Sequence, residues 1–245
     1  MSGRTIAIIQ ARAGSTRLPR KVLMPLEGVP MLAHLVARVR AVPALAAVVV
    51  ATSTLDRDDD VAAVAREAGA EVFRGSEGDV LSRYHEAARE FQATTVVRIT
   101  GDCPLYDGGL LAEMLARRAA LSPHSYYSNA FRRTYPRGLD TEIFERETLE
   151  LVHRLADDPA EREHVTAFLW RRPTVFECVN HENPEGDWSH WRWTVDTPED
   201  FAMVTRVYAE LYPRAPLFDR HAVAELLRAR PEIAAINSEV AQKPV

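Results

Sequence analysis

The sequence predicts an α/β fold in which a mostly parallel central sheet is covered by helices on both faces. Two observations predict it. Short apolar runs rich in β-branched residues alternate four times with stretches of helical periodicity. Those runs are continuous rather than alternating with polar residues, as expected of strands buried on both faces. At 245 residues the chain is long enough to bury a substantial core, and one domain spanning 1–245 is the simplest organisation.

The elements follow in order. TIAIIQ (5–10) reads as the first buried strand, and the pattern after Pro30 has apolar positions 31, 32, 35, 36 and 39, one face of a helix. AAVVVAT (46–52) is a second strand. DDDVAAVAREAGA opens with acids and closes at Gly69, the signature of a helix start and stop. EVFRG (71–75), DVLSRYHEAAREFQ and TTVVRIT (94–100) continue the alternation, and a helix is expected over about 109–121. From 122 to 145 the pattern loosens into short strands and a loop. Helical signals return at 146–156 and 160–172, VFECVNH and WRWTVDT read as strands, and a last helix begins at Pro198. The halves 1–121 and 122–245 are thus a regular part and a more irregular one, with no repeat or linker between them.

Hydrophobic residues make up 47% of the chain and charged residues 27%, the balance of a soluble globular protein. The net charge of −5 gives no general basic field of the kind that gathers nucleic acid. Residues 1–40 nevertheless hold seven Arg and Lys against Glu27, a local +6 that leaves −11 on the rest. Two cysteines are too few for a disulfide framework, the first residues lack a signal-peptide core, and no stretch approaches a membrane span. A cytoplasmic protein is expected.

Ligands of open α/β sheets bind where loops converge at the carboxyl ends of strands, and three loops here have unusual content. The first, QARAGSTRLPRK (10–21), sets Arg12, Arg17, Arg20 and Lys21 around Gly14 and Ser15 directly after a buried strand. Backbone amides in such a turn cradle phosphate oxygens, and Arg12 and Lys21 neutralise them. Arg17 is a helper, while Arg20 reads as a surface charge. The pattern matches neither G-x-x-x-x-G-K-[ST] nor G-x-G-x-x-G. In the second loop, after TTVVRIT, Asp102 either holds magnesium bound to a nucleotide's phosphates or caps the loop or pairs with Arg12. The third is WRWTVDTPED, where Thr197 reads as a helix N-cap with Glu199 and Asp200 in the first turn. Asp196 precedes the cap and is free to share a divalent ion with Asp102.

QARAGSTRLPRKVL, RITGDCPL and WTVDTPEDF, in that order, resemble the motifs of bacterial cytidylyltransferases. The group most similar is the SpsF-like one of spore coat polysaccharide biosynthesis, with 3-deoxy-manno-octulosonate and acylneuraminate cytidylyltransferases more distant. The resemblance covers roughly residues 4–208. It implies a three-layer αβα, Rossmann-like nucleotide-diphospho-sugar transferase fold with a small irregular insertion. The reaction it implies joins CTP to an acceptor, giving a CMP conjugate and pyrophosphate. Arg12 and Lys21 would then be catalytic, holding the triphosphate. Ala11, Gly14, Ser15, Arg17, Arg74 and Asp102 would meet the nucleotide, Arg83 less directly, and Asp102 and Asp196 would hold Mg²⁺. The loop departs from the G-S-K-G of the sialate branch, so no sialic acid is inferred. The position before Lys21, often glycine in close relatives, is Arg20 here.

The acceptor, a sugar acid or a phosphate- or phosphonate-bearing compound, is expected against the second half. Asp140 and Glu142 alternate along an expected strand and would point the same way. They and His164 are the candidate contacts, against the plainer readings of edge-hairpin charges and a satisfied helix histidine. Trp191 and Trp193 would share one face of a strand and pack in the core. The Tyr- and Arg-rich region 122–145 offers a homodimer contact. Two alternatives stand beside this reading. One is a GT-A-type glycosyltransferase using a nucleotide sugar, with Asp56-Arg57-Asp58 or Asp58-Asp59-Asp60 as its metal motif, although these read better as a helix start. The other is a catalytically inactive nucleotide-binding protein.

Overall fold

The structure, a computed structural model, describes residues 3–242. The four apolar runs of the first half form the parallel strands β1 (Thr5–Gln10), β4 (Ala47–Ser53), β5 (Glu71–Gly75) and β6 (Thr95–Thr100). A two-residue hairpin, β2 (Pro25–Leu26) and β3 (Val29–Pro30), lies between the first two. The irregular half adds β7 (Tyr126–Ser128), β8 (Glu142–Glu145) and β9 (Cys178–Asn180) to the same seven-stranded sheet, in the order β5-β4-β1-β6-β8-β7-β9. Only β8 opposes the common direction, pairing antiparallel with both β6 and β7. The centre is therefore parallel and the reversal falls where the regular alternation ends.

Helices cover both faces because successive strand residues point to opposite sides. Ala7 and Ile9, Val48 and Val50, and Val97 and Ile99 face a core packed by α1 (Met31–Arg40), α4 (Gly108–Arg118), α8 (Pro198–Leu211) and α9 (Arg220–Ala229). Ile6 and Ile8, with Val49, Ala51 and Val96, face the other core, filled from α3 (Val80–Glu90) and α5 (Arg146–Leu155). The helix α2 (Asp59–Glu67) follows a 3₁₀ turn at Asp56–Asp58, and α10 (Pro231–Ala235) follows α9. This is the three-layer αβα arrangement expected from the sequence.

Two expectations fail. WRWTVDT is not a strand: its one ladder-like contact is an isolated bridge between Arg137 and Arg192. Gly138, at φ +106°, packs closely against the segment, and a Cβ there would come within 2.6–2.8 Å of the Trp193 and Thr194 backbone. The tryptophans pack nonetheless, with Trp193 fully buried and Trp191 stacked on it at 5.9 Å. The helix expected over 160–172 is two short ones, α6 (Pro159–Glu163) and α7 (Ala167–Trp170), broken at Val165, whose φ of +54° no helix tolerates. The tyrosines 126, 127 and 135, expected near a subunit contact, are buried within the chain. Among the described residues, no helix is long and apolar enough to cross a membrane.

Candidate active site

The loop after β1 is held at its base by its neighbours. Ala11 N donates to Ala51 O within β4 (3.2 Å), and Gly101 N, past β6, donates to Gln10 O (2.8 Å). Gly101 is required there, since a Cβ would meet Gln10 O at 2.8 Å and Ala11 Cβ at 2.9 Å. Ser15 N and Arg20 N both donate to Ala13 O, at 2.9 and 3.0 Å, closing the loop on itself. Ala13 N in turn donates to Oδ1 of the fully buried Asp58 (2.6 Å), which also accepts from Ser53 Oγ. Gly14 is not the left-handed residue of the turn. Arg20 is, at φ 56° and ψ 21°.

The loop delivers Lys21 to the point where the other two loops meet. Its Nζ donates to Asp102 Oδ2 (3.0 Å), Asp196 Oδ1 (2.8 Å) and Val195 O (2.8 Å). Val195 N donates to Asp102 O at 2.8 Å, so the two carboxylate loops are clipped together by backbone. Burial by itself would raise the Asp102 pKa, but Lys21 and hydrogen bonds from Thr100, Lys21 and Cys103 bring it down to about 2. Burial acts against the ammonium as well, yet Asp102 and Asp196 together raise the Lys21 pKa. Asp196 also accepts from Arg17 at Oδ1 (2.9 Å) and from Arg192 Nη2 at Oδ2 (2.8 Å). Asp200, fully buried, takes the Arg192 guanidinium (2.9 and 3.1 Å), Asp196 N (2.9 Å) and Asn237 Nδ2 (2.8 Å).

Beside this hub lies a cleft of about 490 Å³ lined by Arg137, Asp140, Glu142, His164 and their neighbours. Glu142 is buried and spent within the protein, accepting from Arg98 Nη1, Tyr126 OH (2.7 Å) and Thr166 Oγ1. Asp140 forms a bidentate pair with Arg133, at 2.5 and 2.9 Å. Arg137 is half-buried and, among the described residues, its side chain forms no ion pair or hydrogen bond. Burial lowers the pKa of His164, so the ring stays neutral near pH 7.

The cytidylyltransferase family profile matches residues 6–229. The chain belongs to that family. An uncharacterised protein of Methanocaldococcus jannaschii is 33% identical over 97% of this chain and 96% of its own length. The spore coat polysaccharide biosynthesis protein SpsF of Bacillus subtilis is 34% identical over 93% and 95%. Among solved structures, a cytidylyltransferase from Leptospira borgpetersenii superposes with a TM-score of 0.91 at 31% identity, covering 99% of this chain and 100% of that one. A CMP-2-keto-3-deoxy-manno-octonic acid synthetase, at 19% identity and TM-score 0.64, shares the fold. The enzyme is thus a CTP-dependent nucleotidyltransferase.

Within this cytidylyltransferase, Lys21, Arg17, Asp102 and Asp196 come together in one cluster. Asp102 pairs with Lys21 and not with Arg12. Arg12 stands at the rim, its side chain 43% exposed, 3.9 Å from Glu77. Arg74 is tied to Asp59 (2.6 Å) and to the carbonyls of Ser53 and Leu55, so it braces the loop after β4 and does not join the cluster. Arg20 is exposed and pairs with Asp60. Of the four acids considered as a glycosyltransferase metal motif, three are engaged in this way, Asp58 by Ala13, Asp59 by Arg74 and Asp60 by Arg20. Sequence reasoning missed Arg192 and Asn237, read Asp58 as part of a helix start or a glycosyltransferase metal motif rather than as the anchor of the loop after β1, and took Asp200 for a helix-capping acid only. Asp200 does complete a capping box with Thr197, but it also fixes Arg192 behind Asp196. Arg192, beside Asp196 in WRWTVD, was the one available signal.

Proposed function

We propose that the enzyme transfers CMP from CTP to a small acidic acceptor, a sugar acid or a related phosphate- or phosphonate-bearing compound, releasing pyrophosphate. The observation that carries this is the convergence of three loops on Lys21 Nζ, which puts a cation and two carboxylates beside a half-buried cleft. Arg12, Arg17 and Lys21 would take the triphosphate, with Ala11, Gly14 and Ser15 supplying close backbone. Attack of an acceptor hydroxyl on the α-phosphorus forms one P–O bond and breaks that to the β-phosphate, whose oxygen leaves with the electron pair. Such displacement needs charge neutralisation and alignment more than a protein nucleophile. His164, held neutral, is available to take the hydroxyl proton.

The two carboxylates fit magnesium, since both already face one cation position at 2.8 and 3.0 Å. No group of three or more potential ligands occurs among the described residues, so phosphate oxygens and water would complete the shell, as magnesium favours. Bound there by Asp102 and Asp196, it supplies neutralisation of phosphate charge. In the cleft, Arg137 has no hydrogen-bond or ion-pair partner among the described residues and is the cation for the acceptor's acidic group. Asp140 and Glu142 shape the cleft through Arg133 and Arg98. The sugar-acid class draws further support from 3-deoxy-manno-octulosonate cytidylyltransferases, one from Mesorhizobium japonicum being 38% identical over 45% of this chain.

The test is pyrophosphate release with each of four nucleoside triphosphates, Mg²⁺ and a panel of acidic acceptors and their neutral analogues. CTP with an acidic acceptor is expected to be active. Release with UTP or GTP alone, or equal use of neutral analogues, would overturn the reading, and a nucleoside diphosphate product would favour the glycosyltransferase instead.

A further inference from the structure

Two cavities meet at Arg137 and Gln242. One is the acceptor cleft, and the other is a crevice of about 140 Å³ between the bend at 189–193 and the carboxy-terminal residues 237–242. Among the described residues these two alone line both. The carboxy-terminal segment lies beyond the family profile, which ends at residue 229, so what it adds is not part of the machinery that the profile describes.

The segment is tied down where it passes the site. After α10 the chain turns, with Ser238 N donating to Ala235 O (3.4 Å) and Val240 N to Asn237 O (3.1 Å). The buried Asn237 donates from Nδ2 to Arg192 O (2.9 Å) and to Asp200 Oδ1 (2.8 Å). Arg192 Nη1 donates in turn to Gln242 Oε1, and because a guanidinium only donates, the amide oxygen is the atom it has to meet. Gln242 is thereby held, exposed, at the junction of the two cavities.

The lining says what the crevice would hold. Ser189, Asn237 and Ser238 bring neutral donors and acceptors, and Trp191, Met203 and Leu227 bring apolar faces. The Trp193 side chain lines it too, with an indole N–H that has no acceptor among the described residues. Arg192 is spent on Asp196, Asp200 and Gln242, so the crevice has no uncommitted arginine beyond Arg137 at its entrance. A second acid would therefore find no countercharge inside, whereas a chain of hydroxyl-bearing carbons, polar on one side and apolar on the other, matches such walls.

We propose that the acceptor site continues past Arg137 into this crevice, which takes the uncharged polyhydroxyl chain of the acceptor acid, with Gln242 hydrogen-bonding that chain at the junction. The assignment rests on the sugar-acid reading of the acceptor cleft. Gln242 is in these terms a specificity residue that measures the length of the acid, while Lys21 and its neighbours act on the phosphates of CTP.

The experiment is pyrophosphate release at saturating CTP and Mg²⁺ with a series of 2-keto-3-deoxy sugar acids of increasing chain length, for the wild type, Ser238→Phe and Gln242→Ala. In the wild type kcat/KM should rise by about tenfold from the shortest acid to the longest, as added hydroxyls find partners, and the gain should lie in the acceptor KM. Ser238→Phe, which fills the crevice from its exposed rim, should bring the longest acid down to the level of the shortest. Gln242→Ala should raise the KM of the longest acid by about fivefold to tenfold and leave the KM of CTP where it was. Equal use of short and long acids by the wild type overturns the proposal with no variant needed, so it is decided even if one fails to fold. A Ser238→Phe enzyme that keeps the preference for length overturns it as well. So does a Gln242→Ala enzyme whose kcat falls equally with every acid, which would make Gln242 a brace of Arg192 only. Release with none of the acids sinks the sugar-acid reading and this inference with it, and is a different result from any of these.

Discussion

At the scale of single residues, Lys21 does two jobs that pull in different directions. In the protein by itself its ammonium neutralises Asp102 and Asp196, and in the proposed reaction it must turn to phosphate. Lys21→Ala should lower turnover by about 10²- to 10³-fold, as loss of one charge-stabilising donor does, with pyrophosphate release as the assay. The same pair sets an acid limit on stability. Because the Asp102 pKa is held at about 2 against an ordinary 3.8, its contribution of about 2 kcal/mol is present above pH ~4 and fades between pH 4 and 2. Denaturant titrations at stepped pH should show that loss in the wild type and not in Asp102→Asn. Arg20 is the plain counterpart. Its left-handed backbone costs about 1 kcal/mol in a non-glycine residue, so Arg20→Gly should leave stability unchanged or raise it slightly, and Arg20→Val should lower it by about 1–2 kcal/mol.

Among elements, the loops matter more than the strands that carry them. Lys21, Asp102 and Asp196 could be picked out in the sequence because each follows a buried run or precedes a helix cap, positions that local pattern defines. Glu142 and Arg74 were harder, since what they do is decided by Arg98, Tyr126 and Asp59, far away in the chain or across a turn. Periodicity failed at WRWTVDT for a related reason. Alternating bulky residues look like a strand, but the segment makes only an isolated bridge with Arg137, beside Gly138, whose Cβ would lie 2.6 Å from the Trp193 backbone. Gly138→Ala should therefore cost at least about 2 kcal/mol, from strained φ and overpacking, read as a drop in the midpoint of chemical denaturation. Asp58→Ala should unclip the loop at Ala13 and weaken CTP binding as well as lowering stability by about 2–3 kcal/mol, because a buried amide loses its acceptor. Calorimetry and denaturation measure the two effects on the same sample.

Over the whole molecule, the fold class was legible because parallel strands buried on both faces need unbroken apolar runs, which no other common architecture produces in alternation with helices. The tail end of the chain was not legible as part of the site, yet Asn237 reaches Asp200 and so supports the arginine behind Asp196. That closed set of charges has a thermodynamic consequence. Lys21, Arg17 and Arg192 balance Asp102, Asp196 and Asp200 one for one, so the cluster offers an arriving divalent ion no net attraction. On the proposed function, phosphate would draw Lys21 and Arg17 away and uncover the carboxylates, which would make nucleotide and metal cooperative ligands with reciprocal coupling. Mn²⁺ titrated without CTP should bind weakly, CTP should tighten it by at least about tenfold, and Lys21→Ala should bind Mn²⁺ well with no nucleotide present. In that sense the lysine would be a proton-bearing placeholder, and the proposed reading would have nucleotide ahead of metal because of the charge of the resting site.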